Sequence, residues 1–545
     1  MVEFDNDLQS IQEARNLARK GLEATHKMAT FTSEQVDRII LSMKKAAEKH
    51  SALLAKMAVE ETGFGVVEDK QFKNYAASTM LYEEIKDMQT VGIISEDLEK
   101  KTLAVAEPVG LILGIIPSTN PTSTVFFKAM IALKSRNAIV FSPHPSAAKC
   151  TYHAAEIMRK AAIEAGAPEG IIGCVYRPSM AATNELMHAP EVSLIIATGG
   201  PAMVKAAYSA GKPAIGVGAG NSPAYIERTA DVKKAVERIL ASKTFDNGTI
   251  CASEQSIICE ECNKDAVVAE LKRQGGYFMT AEETEKVCAL LFKNGGHAMN
   301  AKFVGRKPQV IADAAGITIP SGTRVLIGEQ GGVGNGYPLS FEKLTTVLGF
   351  YVVKDWEEAC HLSIALLQNG IGHTMSLHTN SRDIVLKFAA KPASRILVNT
   401  GGSQGGTGIS TGLPISFTLG CGTFGGSSVS DNVSPMNLVN IKKVAYGLIE
   451  LDQLKMDTPS DSVKNVEVLT EVEHDSDFAT PTELENLFKE AVNLLSTGNK
   501  KGEVVSADMI TSASCCNHKP SPNPNPNYDS IVDTVRDIVL AMNNK

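Results

Sequence analysis

Leu111-Ile-Leu-Gly-Ile-Ile116, then Pro121 to Lys134, then Ala138-Ile-Val-Phe141 follow one another along the chain. The outer two are short, wholly apolar runs, the pattern of buried strands. The middle one opens on proline and has the length of a helix. The alternation continues. Ser146 to Ala165 reads as a helix, and Ile171-Ile-Gly-Cys-Val175 and Leu194-Ile-Ile-Ala197 read as strands. Apolar strands alternating with helices predict a parallel sheet covered on both faces. The fold class is therefore α/β, and a nucleotide-binding domain is the natural expectation. A second α/β series begins near Ala224 and runs past residue 400.

Outward from that stretch the pattern changes at both ends. Before residue 90 the chain reads as helices. Leu8, Ile11, Ala14, Leu17 and Ala18 recur at helical spacing, and Ser33-Glu-Gln-Val36 offers a cap for a second run. Leu454 to Ala479 is polar, acidic and aperiodic. Thr480-Pro-Thr-Glu483 has the signature of a helix start, with an apolar stripe from Leu484 to Leu495. Residues 499–527 end in Pro522-Asn-Pro-Asn-Pro-Asn527 and read as a linker. Tyr528 to Met542 is a final amphipathic helix, with Ile531, Val532, Val535, Ile538, Val539 and Met542 on one face. There is no internal repeat.

At 545 residues the chain is too long for one core, so two or three domains are expected. A net charge of −8 argues against wrapping a nucleic-acid backbone. No apolar run reaches the ~18 residues of a membrane span, and the first residues carry no signal-peptide pattern. The ten cysteines are dispersed, mostly in apolar runs, which reads as reduced thiols in a cytosolic protein. Cys259-Glu-Glu-Cys262 has metal-ligand spacing. Cys515, Cys516 and His518 are the other cluster, and they lie in the low-complexity tail, so free thiols and no metal are the expectation.

Two stretches carry possible chemistry. Thr198-Gly-Gly-Pro-Ala202 follows a strand and precedes a helix, where backbone N–H groups can approach a pyrophosphate. A plain strand-to-helix turn explains it equally well. Phe245-Asp-Asn-Gly-Thr-Ile-Cys251-Ala-Ser-Glu places one cysteine in a polar, glycine-containing stretch after the helix Val232–Lys243. By itself it is also an ordinary loop cysteine.

Together with other motifs these stretches resemble the aldehyde dehydrogenase family. Ile115-Ile-Pro-Ser-Thr-Asn120-Pro is similar to the motif whose asparagine lines the oxyanion site. Ala197-Thr-Gly-Gly200 resembles the nicotinamide-proximal turn, and Gly216-Val-Gly-Ala-Gly-Asn-Ser-Pro223 the glycine-rich strand end. Asn247-Gly-Thr-Ile-Cys251 is similar to the nucleophile loop, and Phe341-Glu342-Lys-Leu-Thr-Thr-Val347 to the stretch whose glutamate contacts the nicotinamide ribose. The motifs stand in family order across residues 7–450. The implied fold has two doubly wound parallel-sheet domains, a small oligomerisation arm and a C-terminal linker-helix tail.

One departure defines the expected branch. The resemblance puts Val217 where hydrolytic members carry a glutamate base, 34 residues before Cys251. Valine cannot activate water, so a thioester on Cys251 would wait for a better nucleophile. A thiol is such a nucleophile. The branch lacking this glutamate is the coenzyme A-acylating one. Phe141-Ser-Pro-His-Pro145 and Leu419-Gly-Cys-Gly-Thr-Phe-Gly-Gly-Ser-Ser-Val429 also resemble it. At Ser142 and Pro145 the chain departs from the lysine and glutamate that hold the adenosine ribose in hydrolytic members, which leaves NAD against NADP open.

The resemblance implies a mechanism. Cys251 attacks the aldehyde as thiolate, and Asn120 with the Cys251 backbone N–H holds the oxyanion. Hydride passes to NAD, and coenzyme A then takes the acyl group. The implied cofactor contacts are Pro117, Ser142, Thr198, Gly199, Gly200, Gly218 and Glu342. Without the resemblance, Asn120 is a turn asparagine and Glu342 a surface charge. His373 can contact coenzyme A or assist proton transfer, or be a buried, hydrogen-bonded histidine; it stays off the catalytic set. Cys421 reads as packing. A hydrolytic enzyme giving the free acid, an acyl-phosphate reductase and a catalytically silent binding protein are the alternatives.

By the same resemblance residues 1–224 bind NAD and coenzyme A, with oligomerisation strands near 100–108. Residues 225–420 form the catalytic thiol domain and 421–455 the C-terminal arm. Residues 456–527 are extension and linker, and 528–545 an amphipathic targeting helix. The last resembles the encapsulation peptides of bacterial microcompartment enzymes; docking on its own core is the other reading. The implied partners are a short-chain aldehyde (propionaldehyde or acetaldehyde), shell proteins, and further copies in a dimer or tetramer. The implied location is the cytoplasm, inside a microcompartment. The sequence ends without an iron-dependent alcohol dehydrogenase domain, which sets the expectation apart from the bifunctional aldehyde-alcohol type.

Overall fold

A computed structural model describes residues 5–293, 298–368 and 372–451. Helices α1 (Asn6–Met28), α2 (Ser33–Thr62), α3 (Val67–Tyr75) and α4 (Leu81–Ile85) come first. The cap of α2 is Thr32, one residue before the expected Ser33. Gln35 stands three residues after Thr32, so Oγ1 of Thr32 accepts from Gln35 N while Oε1 of Gln35 accepts from Thr32 N. Gly63, at φ 68°, ends that helix in the left-handed conformation open to glycine.

Two strands follow, β1 (Gly92–Asp97) and β2 (Thr102–Pro108), and the α/β series then begins. It runs β3 (Leu111–Ile116), α5 (Pro121–Lys134), β4 (Ala138–Pro143), α6 (Ala148–Glu164), β5 (Ile172–Cys174), α7 (Met180–His188), β6 (Val192–Thr198), α8 (Pro201–Ser209) and β7 (Ala214–Val217). The helix expected from Ser146 starts at Ala148 because Pro145–Ala147 form a tight turn, with His144 Nδ1 accepting from Ser146 N.

These strands make a five-stranded sheet in the order β5-β4-β3-β6-β7, every pair parallel. The chain builds outward from β3 to β5, then returns to place β6 on the other side of β3. That reversal opens a crevice at the carboxyl ends of β3 and β6, where open α/β sheets bind ligands. Gly114 lies in β3 because a Cβ there would stand 2.8 Å from the Phe141 ring on β4.

The second series starts with β8 (Ser222–Ile226), α9 (Val232–Thr244), β9 (Glu254–Glu260) and β10 (Gly276–Phe278). A short antiparallel pair, β11 (Phe292–Lys293) and β12 (Ala298–Met299), precedes β13 (Val325–Glu329), β14 (Val347–Val353), β15 (Thr374–His378) and β16 (Arg395–Val398). The seven-stranded parallel sheet has the order β10-β13-β14-β9-β8-β15-β16. Alternate residues enter opposite cores. Ala224, Ile226, Ile257 and Cys259 pack with Val236, Ile239 and Leu240 of α9. Tyr225 and Ile258 pack instead with Ala359, Leu366 and Leu367 of the helix Trp356–Gln368. This period of two, with a helix on each face, is what a doubly wound sheet requires.

The last described strand, β17 (Val439–Ala445), pairs antiparallel with β2, and β2 pairs with β1. The result is a separate three-stranded sheet. Among the described residues no helix is long and apolar enough to cross a membrane. The helix expected from Thr480, the linker 499–527 and the helix from Tyr528 to Met542 lie outside the described residues.

Asn137 ties the start of β3 to the stretch before β17. Its Oδ1 accepts from Gly110 N at 2.9 Å, partly buried, and its Nδ2 donates to Leu438 O at 2.8 Å, fully buried. Asn137→Ala strands both backbone groups and is expected to cost about 2 kcal/mol or more. Scanning calorimetry should show a thermal midpoint several degrees lower. Asn440→Ala, which removes one long exposed contact to Pro108 O, should leave it unchanged. Equal midpoints for the two variants would remove Asn137 from this role.

Candidate active site

The loops after β3 and β6 both open on the crevice, and the turn before β9 closes it. A cavity of 350 Å³ is lined by Pro117 and Asn120 after β3, and by Thr198 at the end of β6 with Gly199 and Gly200 after it. Val217 at the end of β7, Gly218 after it, Cys251 before β9, and Glu342 complete it. Nine sequence-derived residues thus meet at one place. Ser142 does not line this cavity: it is buried, with its hydroxyl 2.8 Å from Thr183 Oγ1. Its neighbours His144 and Ser146 line the cavity instead.

The cysteine sits on an unusual turn. Asp246, Asn247 and Gly248 stand consecutively at φ 51°, 53° and 76°. Non-glycine residues enter the left-handed region at a cost, so surrounding contacts must hold them. Asp246 N donates to Asp69 Oδ2 at 2.7 Å, and Asn247 Nδ2 donates to Gly305 O at 3.0 Å. The Asp246 carboxylate accepts from Val66 N, Lys70 Nζ, Lys73 Nζ and Thr249 Oγ1. Burial alone would raise the pKa of that carboxyl, but the two ammonium groups bring it below the ordinary value. Gly65 is required beside it, since a Cβ there would fall 1.8 Å from Asp246 Oδ1.

Cys251 Sγ lies 3.2 Å from His373 Nε2, and His373 Nδ1 lies 2.7 Å from Thr374 Oγ1. Burial pushes the thiol up to about 12, with Glu342 adding to the rise and Arg395 opposing it. Burial also holds His373 well below its ordinary value. Both partners are therefore neutral at rest. With both neutral, the contacts allow the tautomer in which the thiol donates to Nε2 and Nδ1–H donates to Thr374 Oγ1.

Asn120 caps α5 and aims its amide at the cysteine loop. Its Oδ1 accepts from Lys73 Nζ at 2.6 Å, and its Nδ2 donates to Thr249 O at 3.1 Å and to Thr119 Oγ1 at 3.2 Å. An ammonium can only donate, so the amide oxygen must face Lys73 and the N–H groups must face the thiol loop.

Among the described residues Glu342 is the one carboxylate lining the cavity. Its Oε1 accepts from Gly220 N at 2.8 Å. Burial raises its pKa to about 8, opposed by that bond and by Lys243 and Lys343. Gly220 itself lies against the nucleophile, where a Cβ would stand 2.1 Å from Cys251 O.

Sequence reasoning left His373 outside the catalytic set and missed Lys70, Lys73 and Asp246. The available signal was slight. Lys70 and Lys73 stand three residues apart on α3, which puts them on one face, and Asp246 adjoins the Asn-Gly of the nucleophile motif. Cys421 is buried and donates to Leu419 O, as a packing residue would. No cluster of metal-ligating side chains occurs among the described residues.

A cysteine, an asparagine amide and a glycine-rich crevice meet at one cavity, and the comparisons name the family. Residues 5–280 match the Aldehyde dehydrogenase family, and the chain belongs to that family. It is 48% identical over 443 residues to the bifunctional aldehyde-alcohol dehydrogenase of Escherichia coli, covering 80% of this chain and 50% of that protein. The chain thus spans about half the length of the curated relatives it matches. Among solved structures, an acetylating aldehyde dehydrogenase from Geobacillus thermoglucosidasius is similar with a TM-score of 0.81 and 53% identity, over 82% of this chain and 99% of that one. A propionaldehyde dehydrogenase from a Clostridium phytofermentans fucose utilisation bacterial microcompartment is similar with a TM-score of 0.72 and 28% identity, over 80% and 97%. These relatives place the chain in the coenzyme A-acylating branch.

Two outcomes test the geometry. Asn120→Ala removes one oxyanion donor and should lower turnover by about a hundredfold to a thousandfold; a loss under about threefold would take Asn120 out of the site. Because the resting thiol is neutral, alkylation of Cys251 by iodoacetamide should speed up about tenfold per pH unit from pH 6 to 9. A plateau below pH 8 would instead reveal a preformed thiolate–imidazolium pair.

Proposed function

We propose that this chain oxidises a short-chain aldehyde with NAD and passes the acyl group from a Cys251 thioester to the thiol of coenzyme A. Val217 carries the reading. It stands in the cavity with Cys251, where a water-activating carboxylate would otherwise be, and it offers no proton acceptor. The acylating relatives support the same conclusion.

The cavity fits a dinucleotide. Thr198 Oγ1 is buried without a protein partner at its edge, and Gly199 and Gly200 lead into the N-terminus of α8. Thr198, Gly199, Gly200, Gly218, Pro117 and Glu342 would hold NAD, which when bound supplies the hydride acceptor. The first sheet, within residues 1–224, would carry that cofactor and afterwards coenzyme A. Residues 225–420 would carry the thiol. The residues of the chain do the rest. His373 takes the proton from Cys251 as the sulfur attacks the carbonyl carbon. The Asn120 amide N–H and the Cys251 backbone N–H hold the developing oxyanion. Collapse of the adduct expels hydride and leaves the thioester. Once that first proton has passed to solvent, His373 would take the proton of the incoming thiol and return it to the Cys251 sulfur as the acyl group leaves.

Phe64, Val304, Leu344 and Phe417 make the aldehyde end of the cavity apolar and suit a short alkyl group. Acetaldehyde and propionaldehyde are the proposed substrates, the latter supported by the similar propionaldehyde dehydrogenase structure. The three-stranded sheet exposes Ile93, Ile441 and Val444, apolar groups at a sheet edge that suit pairing with a second copy. Residues 528–545 would serve as a targeting segment for a microcompartment shell, a reading supported by the microcompartment source of one similar structure.

Steady-state turnover with and without coenzyme A tests the proposal. With aldehyde and NAD alone, one burst of NADH per active site is expected, followed by near-arrest. Coenzyme A should restore turnover and yield the acyl thioester. Free acid released at a comparable rate without coenzyme A would overturn the reading and point to Glu342 as a base.

A further inference from the structure

Lys70, Lys73 and Asp246 form a buried charged cluster that contacts Asn120 and does not line the cavity. Lys73 of α3 is buried, and its Nζ reaches Asp246 Oδ2 at 2.5 Å, Asn120 Oδ1 at 2.6 Å and Thr249 Oγ1 at 3.1 Å. One ammonium therefore touches the oxyanion loop and the nucleophile loop at once. Asp246 holds it there, and Lys70, which donates to the same carboxylate and to Thr119 O, brings a second positive charge alongside.

We propose that Lys73 is a positioning residue for oxyanion stabilisation: clamped by Asp246, its ammonium fixes the Asn120 amide through the carbonyl oxygen and polarises the N–H that meets the substrate. This inference rests on the thioester reading above. Without Lys73, the Asn120 amide has no charged partner to choose between its two flipped orientations, and one of them would turn an oxygen toward the oxyanion. With Lys73, a cation on the amide oxygen draws electron density from nitrogen, and linked hydrogen bonds in a low-dielectric site strengthen one another. The present acceptors of Nδ2, Thr249 O and Thr119 Oγ1, are both uncharged. They give way to a full negative charge, which makes the stronger bond.

A residue that merely fastened α3 to the core would damage the enzyme whether or not Asn120 was present. The test is a double-mutant cycle of Lys73→Met and Asn120→Ala, read on the NADH burst with aldehyde and no coenzyme A. Lys73→Met alone should slow the burst about tenfold to a hundredfold, less than loss of the donor itself. The dissociation constant for NAD should stay within about twofold, because Asn120 acts on the transition state. In the Asn120→Ala background the same substitution should cost less than about threefold. Equal losses in both backgrounds, or no loss from Lys73→Met alone, would overturn the proposal. If Lys73→Met does not fold, Lys73→Gln, neutral but still a donor, runs the same cycle with the same deciding comparison. Failure of the underlying reading shows separately, in the wild-type chain. Sustained acid release there refutes the coenzyme A step and leaves the cycle readable, whereas absence of any NADH overturns both.

Discussion

The buried carboxylate of Asp246 is the contact on which the rest of the site depends. It accepts four hydrogen bonds, two of them from the ammonium groups of Lys70 and Lys73. Each of those groups would be costly to bury alone, and removing one member of such a set typically costs about 3–5 kcal/mol. Three parts of the chain are joined there: α3, the loop after β3 through Lys73 and Asn120, and the turn before β9. None of the three is rigid by its local sequence. The left-handed run from Asp246 to Gly248 persists because the side chain of its first residue is fixed from every side.

The two sheets supply the frame for that junction. The reversal of strand order around β3 opens the crevice, and the connection from Val217 to Ser222 carries the chain from the five-stranded sheet to the seven-stranded one. That short connection packs on the nucleophile. Gly220 sits against the Cys251 carbonyl, and Asn221 Nδ2 donates to Ser340 O and Leu366 O, both at 2.7 Å. The glycine-rich motif is thus a packing requirement as much as a ligand site. It brings residue 251 to the crevice although the first sheet ends before residue 220.

Periodicity made the strands readable. Runs such as Leu111–Ile116 and Leu194–Ala197 are apolar throughout, and both proved to be central strands buried on both faces. The motif order singled out Asn120, Cys251 and the Thr198 turn, and the structure brings these to one cavity. Ser142 shows the limit. Its place in a motif implied a cofactor contact, yet strand alternation turns its hydroxyl to Thr183, and the next exposed positions, His144 and Ser146, reach the cavity. Lys73 shows another limit. A lysine on an amphipathic helix ordinarily reads as a solvated charge, and only the three-dimensional meeting with Asp246, 173 residues away, makes it a buried one. His373 fell between. Its neighbours announced burial, but its partner, Cys251, could be known only from how β15 sits beside the turn before β9.

The electrostatics of the resting site then have a consistent sense. Burial and Glu342 keep Cys251 protonated, while Arg395 and, more weakly, Lys73 pull the other way. The thiol is paired with a neutral imidazole, so neither partner carries charge before substrate arrives. A free thiolate in an apolar cavity would react with any electrophile and oxidise readily. A neutral thiol beside a proton acceptor avoids this while keeping the proton transfer short. On the proposed mechanism charge would appear only when sulfur attacks carbon, as an imidazolium on His373 and an oxyanion on the substrate. The groups proposed to meet the oxyanion, the Asn120 amide and the ammonium that contacts it, are already in place and would not need to reorganise. With Val217 in the position of a water-activating base, an arrangement that forms a thioester would give water no means to break it. On that reading the acyl group would leave by the route its chemistry favours, transfer to another thiol.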